Sequence, residues 1–275
     1  MLIDSHAHLD SPRYAEDREQ MLERAHEAGI GAVLSIGIGE GPAEMHQALD
    51  LCREYNNRSN PGRPNLPRLY ASAGIYPHNT TEADEAALAK LDALLGEPEV
   101  IACGEIGLDY YHDGAPKEVQ RQGLVRQLEI AAARKRPILI HCRGTNETTD
   151  AWADLFLVLE EHWSRTGLGG IMHCFGAGWE QARHSLDMGF LVSFAGNLTY
   201  PKAQPLRDVA AQMPLDGILV ETDAPWLAPA PDRGKRNEPA FAVRTAQVLA
   251  EIMGRLPDEI ADATTKNFHR LFQIP

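Results

Sequence analysis

The stretch VIACGEIGLDYYHDGAPKEVQRQGLVRQLEIAAARKRPILIHC (Val100–Cys142) holds the pattern that decides the fold. It opens on one short apolar run, Val100–Gly104, and closes on another, Pro137–Ile140, each of strand length. Between them, Lys117–Lys135 puts Leu124, Leu128, Ala131 and Ala132 on one face at the period of an amphipathic helix. Parallel neighbours cannot be joined by a tight turn, so a strand, a helix and a second strand in this order predict a parallel pair.

Outward from this unit the same alternation recurs. Further strands are predicted at Leu2–Ser5, Gly31–Ile36, Leu69–Gly74, Gly170–His173, Phe190–Phe194 and Gly217–Glu221. Further helices are predicted at Ala15–Ala28, Pro42–Tyr55, Glu82–Leu95, Glu147–Arg165, Glu180–Met188, Gln204–Gln212 and Phe241–Met253, with a last one after Pro257. Eight strand–helix units in about 250 residues are the arithmetic of a (β/α)8 TIM barrel, read here as one domain over 1–275. An open doubly wound sheet is the competing architecture. No GxGxxG follows the first strand, which removes its commonest dinucleotide-binding version. Asn56–Pro67 and Ala228–Pro239 read as surface loops.

Composition narrows the function. Hydrophobic residues are 44% and charged residues 24%, as in an ordered globular chain. With 26 Lys and Arg against 39 Asp and Glu, the net charge is −13. That balance argues against a broad basic face for duplex DNA and against adhesion to anionic membranes. A nucleic-acid substrate would be held locally. The N-terminus has no basic segment followed by an apolar run, and no stretch approaches the ~18 apolar residues of a membrane helix. The four cysteines form no CxxC pair, so reduced thiols in a cytoplasmic, monomeric protein are expected.

The distinctive polar residues sit at predicted strand ends: His6 and His8 on the first strand, His78 after the third, Glu105 on the fourth, His141 on the fifth, His173 on the sixth and Asp223 on the eighth. In a closed barrel those ends form the face where active sites are built. His6 and His8 are two apart, so both imidazoles can point the same way from a strand. Period-2 alternation points Cys142 and Cys174 away from His141 and His173, as small core residues. Glu221 and Asp223 share a face, and Asp223, nearer the strand end, is read as the ligand. Asp109 reads as a structural partner in the following turn. His26, His46, His112, His162, His184 and His269 read as solvent-facing or capping residues. Four imidazoles and two carboxylates exceed one tetrahedral ion, which predicts two divalent cations (Mg²⁺, Mn²⁺ or Zn²⁺) bridged by Glu105. Asp223 is the candidate to orient water or take its proton, so Glu105 and Asp223 are the expected catalytic pair. Arg143, Lys235 and Arg236 could contact a few phosphates, and Tyr76, Tyr110, Tyr111 and Trp226 could stack on bases.

Taken in order, IDSHAHLD, GIYPH, GEIGLDYY, IHCR, MHCF, ETDAPWL, RNEP and the Asn267-Phe268–Leu271-Phe272 tail resemble the TatD family of metal-dependent deoxyribonucleases, within the amidohydrolase-like barrel superfamily. The resemblance covers the whole chain. It implies phosphodiester hydrolysis, commonly 3′→5′ exonuclease action on DNA, with metal ligands at His6, His8, Glu105, His141, His173 and Asp223. It implies His78 as a phosphate contact; Arg143, Arg236 and Asn237 are the further candidate substrate contacts. Tyr76 stands where the family usually has a second His, and Ala177 follows Gly176 in the loop after the sixth strand; both bear on substrate preference. The leading expectation is a two-metal exodeoxyribonuclease acting on single-stranded or frayed DNA ends. Competing readings are a hydrolase of a small amide, lactone or phosphotriester, a deacylase of misacylated tRNA, and a metal-stabilised scaffold. Glu105, with no Lys in VIACGEIG, counts against the relatives that use a carboxylated Lys on the fourth strand.

Overall fold

In the computed structural model, which describes residues 1–56, 65–145 and 150–274, eight parallel strands follow one another in chain order around a nearly closed barrel. They are β1 (Leu2–Ala7), β2 (Ile30–Ser35), β3 (Arg68–Ala73), β4 (Val100–Asp109), β5 (Ile138–Arg143), β6 (Gly170–Met172), β7 (Phe190–Phe194) and β8 (Ile218–Val220). The seam is bridged past the end of β8, where the Asp223 N–H donates to the His6 carbonyl and the His8 N–H to the Ala224 carbonyl. Helices α1 (Arg18–Glu27), α2 (Gln47–Asn56), α3 (Glu85–Leu95), α4 (Lys117–Ala133), α5 (Asp150–His162), α6 (Trp179–Asp187), α7 (Gln204–Ala210) and α8 (Ala242–Met253) connect or follow the strands, and α9 (Pro257–Phe272) ends the chain.

The core has two layers, as alternation on a fully buried parallel strand requires. Ile3, Leu34, Ile101, Leu139, Ile171, Leu191 and Leu219 fill the barrel interior, and Phe268 and Phe272 of α9 join that cluster. Val33, Leu69, Val100, Ile138, Val192 and Ile218 face outward against the helices. The far end of the interior is polar.

Two register shifts make it so. In β1, Asp4 pairs with Val33 but Ala7 with Ser35, so three steps of β1 run against two of β2. In β4, Cys103 pairs with Ile138 and Ile106 with Ile140, again three steps against two. Such bulges turn consecutive residues to the same side. Ser5, whose hydroxyl meets the Ser193 hydroxyl at 3.0 Å, and His6, whose ring stacks on His173 at 3.8 Å, both face inward. The bulge in β4 does the same for Glu105, so the strand runs on to Asp109 rather than stopping at Gly104. Gly107, at φ +140°, sits where a Cβ would lie 2.0 Å from the His141 carbonyl oxygen, so no side chain fits between β4 and β5 there.

Several boundaries differ from expectation. α1 begins at Arg18, after a 3-10 turn at Pro12–Tyr14, and α2 begins at Gln47 rather than Pro42. The predicted loop Asn56–Pro67 and the start of the predicted helix Glu147–Arg165 lie partly outside the described residues. The segment Ala228–Pro239 is not a free surface loop: Ala228, Asn237 and Pro239 are buried.

Candidate metal centre

The structure brings His6, His8, Glu105, His141, His173 and Asp223 together at the C-terminal mouth of the barrel. Glu105 is at the centre and buried. Its Oε2 lies 3.3 Å from His6 Nε2 and 3.7 Å from His8 Nε2. Asp223 Oδ1 completes that side, 3.5 Å from His8 Nε2 and 3.8 Å from His6 Nε2. The other oxygen, Oε1, lies 2.8 Å from both His141 Nδ1 and His173 Nε2. One carboxylate thus faces two separate imidazole pairs, one oxygen to each.

Asp109 and Glu221, both fully buried, orient the second pair. Asp109 Oδ2 is 3.1 Å from His141 Nε2, and Glu221 Oε1 is 3.3 Å from His173 Nδ1. Glu221 Oε1 also accepts the Cys174 N–H at 2.6 Å. An imidazole that donates one N–H to such a carboxylate keeps a lone pair on its other nitrogen. In His141 and His173 that lone pair would face Glu105, a contact that needs a proton or a cation between the two atoms.

Charge follows the same geometry. Burial alone would raise the Glu105 carboxyl, but the charge of His173 and hydrogen bonds from His141, His173 and His6 outweigh it and hold it well below the carboxylate range. Burial would lower His173, but Glu105 and Glu221 raise it well above its ordinary value. Burial and the His173 charge lower His6. His6 Nδ1 and Glu221 Oε2 are buried without a hydrogen-bond partner. Imidazoles and carboxylates in this arrangement are a borderline-soft N/O donor set, so the residues fit divalent cations. His6, His8 and Glu105 could hold one and Glu105, His141 and His173 another.

Other expected residues fall differently. Asp109 is more than a turn partner. Its Oδ1 accepts the Tyr111 and His112 N–H groups, while Oδ2 reaches His141. Glu221 and Asp223 both face the centre, because alternation from the inward Leu219 puts both on the inside. The Tyr76 hydroxyl lies 3.2 Å from His141 Nε2, so the residue in place of the family's histidine still brings a polar atom to the centre. His112 is neither free nor merely capping; its Nδ1 is 2.9 Å from Asp109 Oδ2. Arg143 stacks on the exposed Tyr111, 4.0 Å from ring centroid to guanidinium carbon. Trp226 is 47% exposed and sets its ring edge against His8 at 5.0 Å. Tyr110 is buried, its hydroxyl on Asp154.

Two expected substrate contacts already have partners within the chain. The Arg236 guanidinium is held by Asp17 at 2.7 Å and Glu238 at 2.8 Å, and also donates to the Arg13 carbonyl. Asn237 is fully buried and donates to the Thr222 and Trp226 carbonyls at 2.8 and 2.6 Å. Both are occupied in tying the 224–238 segment to the chain after β8. Lys235 is exposed and paired with Asp232.

A parallel eight-stranded barrel with a cluster of buried histidines and carboxylates at its C-terminal mouth is an architecture suited to metal-dependent hydrolysis. Comparison gives the family. The profile described as TatD related DNase matches residues 3–273. A Bacillus subtilis relative named uncharacterized metal-dependent hydrolase YabD is 35% identical over 274 residues, covering 100% of both chains. A Salmonella typhimurium relative named 3′-5′ ssDNA/RNA exonuclease TatD is 31% identical over 278 residues, covering 99% of each. The crystal structure of the TatD homolog YjjV from Escherichia coli superposes with a TM-score of 0.86 at 32% identity, covering 100% of this chain and 98% of that one. The chain belongs to the TatD family of metal-dependent hydrolases.

Proposed function

We propose that this chain is a metal-dependent phosphodiesterase that removes nucleotides from the 3′ ends of single-stranded or frayed DNA. The observation that carries the reading is Glu105, with one oxygen turned to each of two imidazole pairs at a solvent-facing mouth. The name of the Salmonella relative supports the substrate class. Divalent cations (Mg²⁺, Mn²⁺ or Zn²⁺) held by His6, His8, Glu105, His141, His173 and Asp223 would supply Lewis acidity toward the phosphoryl oxygens and acidify water.

The chain's own residues do the rest. Asp223 Oδ1, beside the His6 and His8 rings, orients the attacking water and accepts its proton; burial would raise this carboxyl, but His8, His173 and His6 keep it ionised. Asp109 and Glu221 fix the ring orientations of His141 and His173. His78 and Arg143 are the phosphate contacts, and among the described residues Arg143 has no carboxylate partner. Trp226 and Tyr111 are the exposed aromatics on which bases would stack.

The test is digestion of end-labelled single-stranded DNA with Mg²⁺, Mn²⁺ or Zn²⁺, comparing wild type with Glu105→Ala. Shortening from the 3′ end is expected, with at least a ~10²-fold loss in the variant and a fall in bound metal. No shortening by folded wild-type protein with any metal would overturn the proposal.

A further inference from the structure

We propose that His78, Asp109 and His112 form a separate cation site at the rim of the mouth, suited to a zinc-class transition-metal dication. The three belong to neighbouring connections: His78 to the segment after β3, Asp109 to the end of β4, His112 to the turn beyond it. Asp109 Oδ2 lies 2.9 Å from His112 Nδ1 and 3.2 Å from His78 Nε2, and the three donor atoms lie within 4.8 Å of one another. Donors at the usual Zn–N and Zn–O distances around a tetrahedral ion stand roughly 3.3 Å apart, so a small opening of this triangle accommodates one. Two histidines and one carboxylate leave a fourth position open.

Plain hydrogen bonding does not account for the cluster. His78 Nε2 is buried and has no hydrogen-bond partner, although it faces the carboxylate at 3.2 Å. Its ring cannot swing away freely: a Cβ on Gly114 would lie 2.6 Å from it, so backbone walls it in. The carboxylate is equally fixed. Asp109 Oδ1 is occupied by the Tyr111 and His112 N–H groups at 2.9 and 3.1 Å, which aims Oδ2 at the two rings. The His112 side chain is 47% exposed, which gives an ion a path in.

The same Oδ2 contacts His141 Nε2 at 3.1 Å, so this ion would be joined to the main centre through Asp109 and His141. It would present positive charge at the position proposed for the substrate phosphate, so that His78 meets that phosphate through the ion rather than with its own ring. The site itself does not depend on the nuclease reading.

The test counts metal in the full-length protein. Wild type, His112→Ala and His78→Ala are loaded with Zn²⁺, freed of loosely held ion by dialysis and assayed for Zn²⁺ per chain; Co²⁺ loading gives a parallel spectrum. Each variant is expected to hold one equivalent fewer than wild type and to lose one component of the Co²⁺ absorption. An unchanged count and spectrum in His112→Ala, whose exposed side chain can be removed without opening the core, would overturn the proposal. So would loss in one variant alone. A chain that loses the equivalent as expected yet never shortens DNA would keep this site and sink the nuclease reading.

Discussion

At the scale of single residues, Glu105 and Glu221 are both buried carboxylates against imidazoles, but they do different things. Glu105 touches four rings, whereas Glu221 backs one and is pinned by the Cys174 N–H. Glu221→Gln keeps the shape, and its amide oxygen can still accept the His173 N–H, but it removes the negative charge that makes the ring's other nitrogen a stronger metal ligand. Metal affinity is expected to fall ~10–100-fold, less than for Glu105→Ala, with the chain still folded. Competition with a chromophoric chelator measures it; equal losses in the two variants would make Glu221 a ligand rather than an orienting group. The strand-end histidines were readable because each follows an apolar run. The choice between Glu221 and Asp223 was not, because a two-residue spacing puts both inside and does not say which reaches the ion site.

At the scale of elements, the long unit Val100–Cys142 announced a parallel pair, and the eight-fold alternation announced the barrel. What alternation could not show is the bulge. Counting by twos from the inward Ile3 reaches Ser5 and passes over His6; only the extra residue against β2 turns His6 inward. In β4 there are two such shifts, one against β3 and one against β5, so counting by twos from the inward Ile101 reaches Glu105 only because they compensate. Bulges are set by pairing with a neighbouring strand, information that the bulged strand's own sequence does not carry. The partners of Arg236 and Asn237 were illegible for a related reason: RNEP sits in a strap, and its partners Asp17 and Thr222 lie elsewhere in the chain. Hydrogen bonds from Arg236 and Arg24 hold the Asp17 carboxyl well below its usual 3.8. A carboxylate depressed by folding contributes stability that is fully present above the unfolded value and is lost as pH falls through the folded one. Because Asp17 is partly exposed, Asp17→Asn is expected to cost only about 1 kcal/mol at pH 7. The gap from wild type in urea melts should narrow as pH drops below about 4 and as salt rises; a gap independent of both would mean the strap is held by packing alone.

At the scale of the whole molecule, the −13 charge and the position of the chemistry belong together. The catalytic face is a mouth built of buried acids and imidazoles, and no helix among the described residues is long and apolar enough to cross a membrane. Arginines that could have made a basic track are largely committed elsewhere: Arg236 and Arg24 to Asp17 and Glu238, Arg121 to Glu118 and Asp154, Arg134 to Asp92. Among the described residues, Arg143, stacked on Tyr111, has no carboxylate partner. A substrate strand gripped by Arg143 and by bound cations displaces few monovalent counterions. Each phosphate neutralised on a single strand contributes about −0.7 to the slope of log K against log salt. With about two such contacts, the slope for single-stranded DNA at a fixed divalent concentration is expected to be no steeper than about −1.5. Arg143→Ala should flatten it further, by about 0.7. Fluorescence anisotropy with a labelled oligonucleotide across a KCl series gives both values. A slope several-fold steeper would require a cationic track beyond the mouth, and the substrate would then lie across a surface rather than end in the barrel.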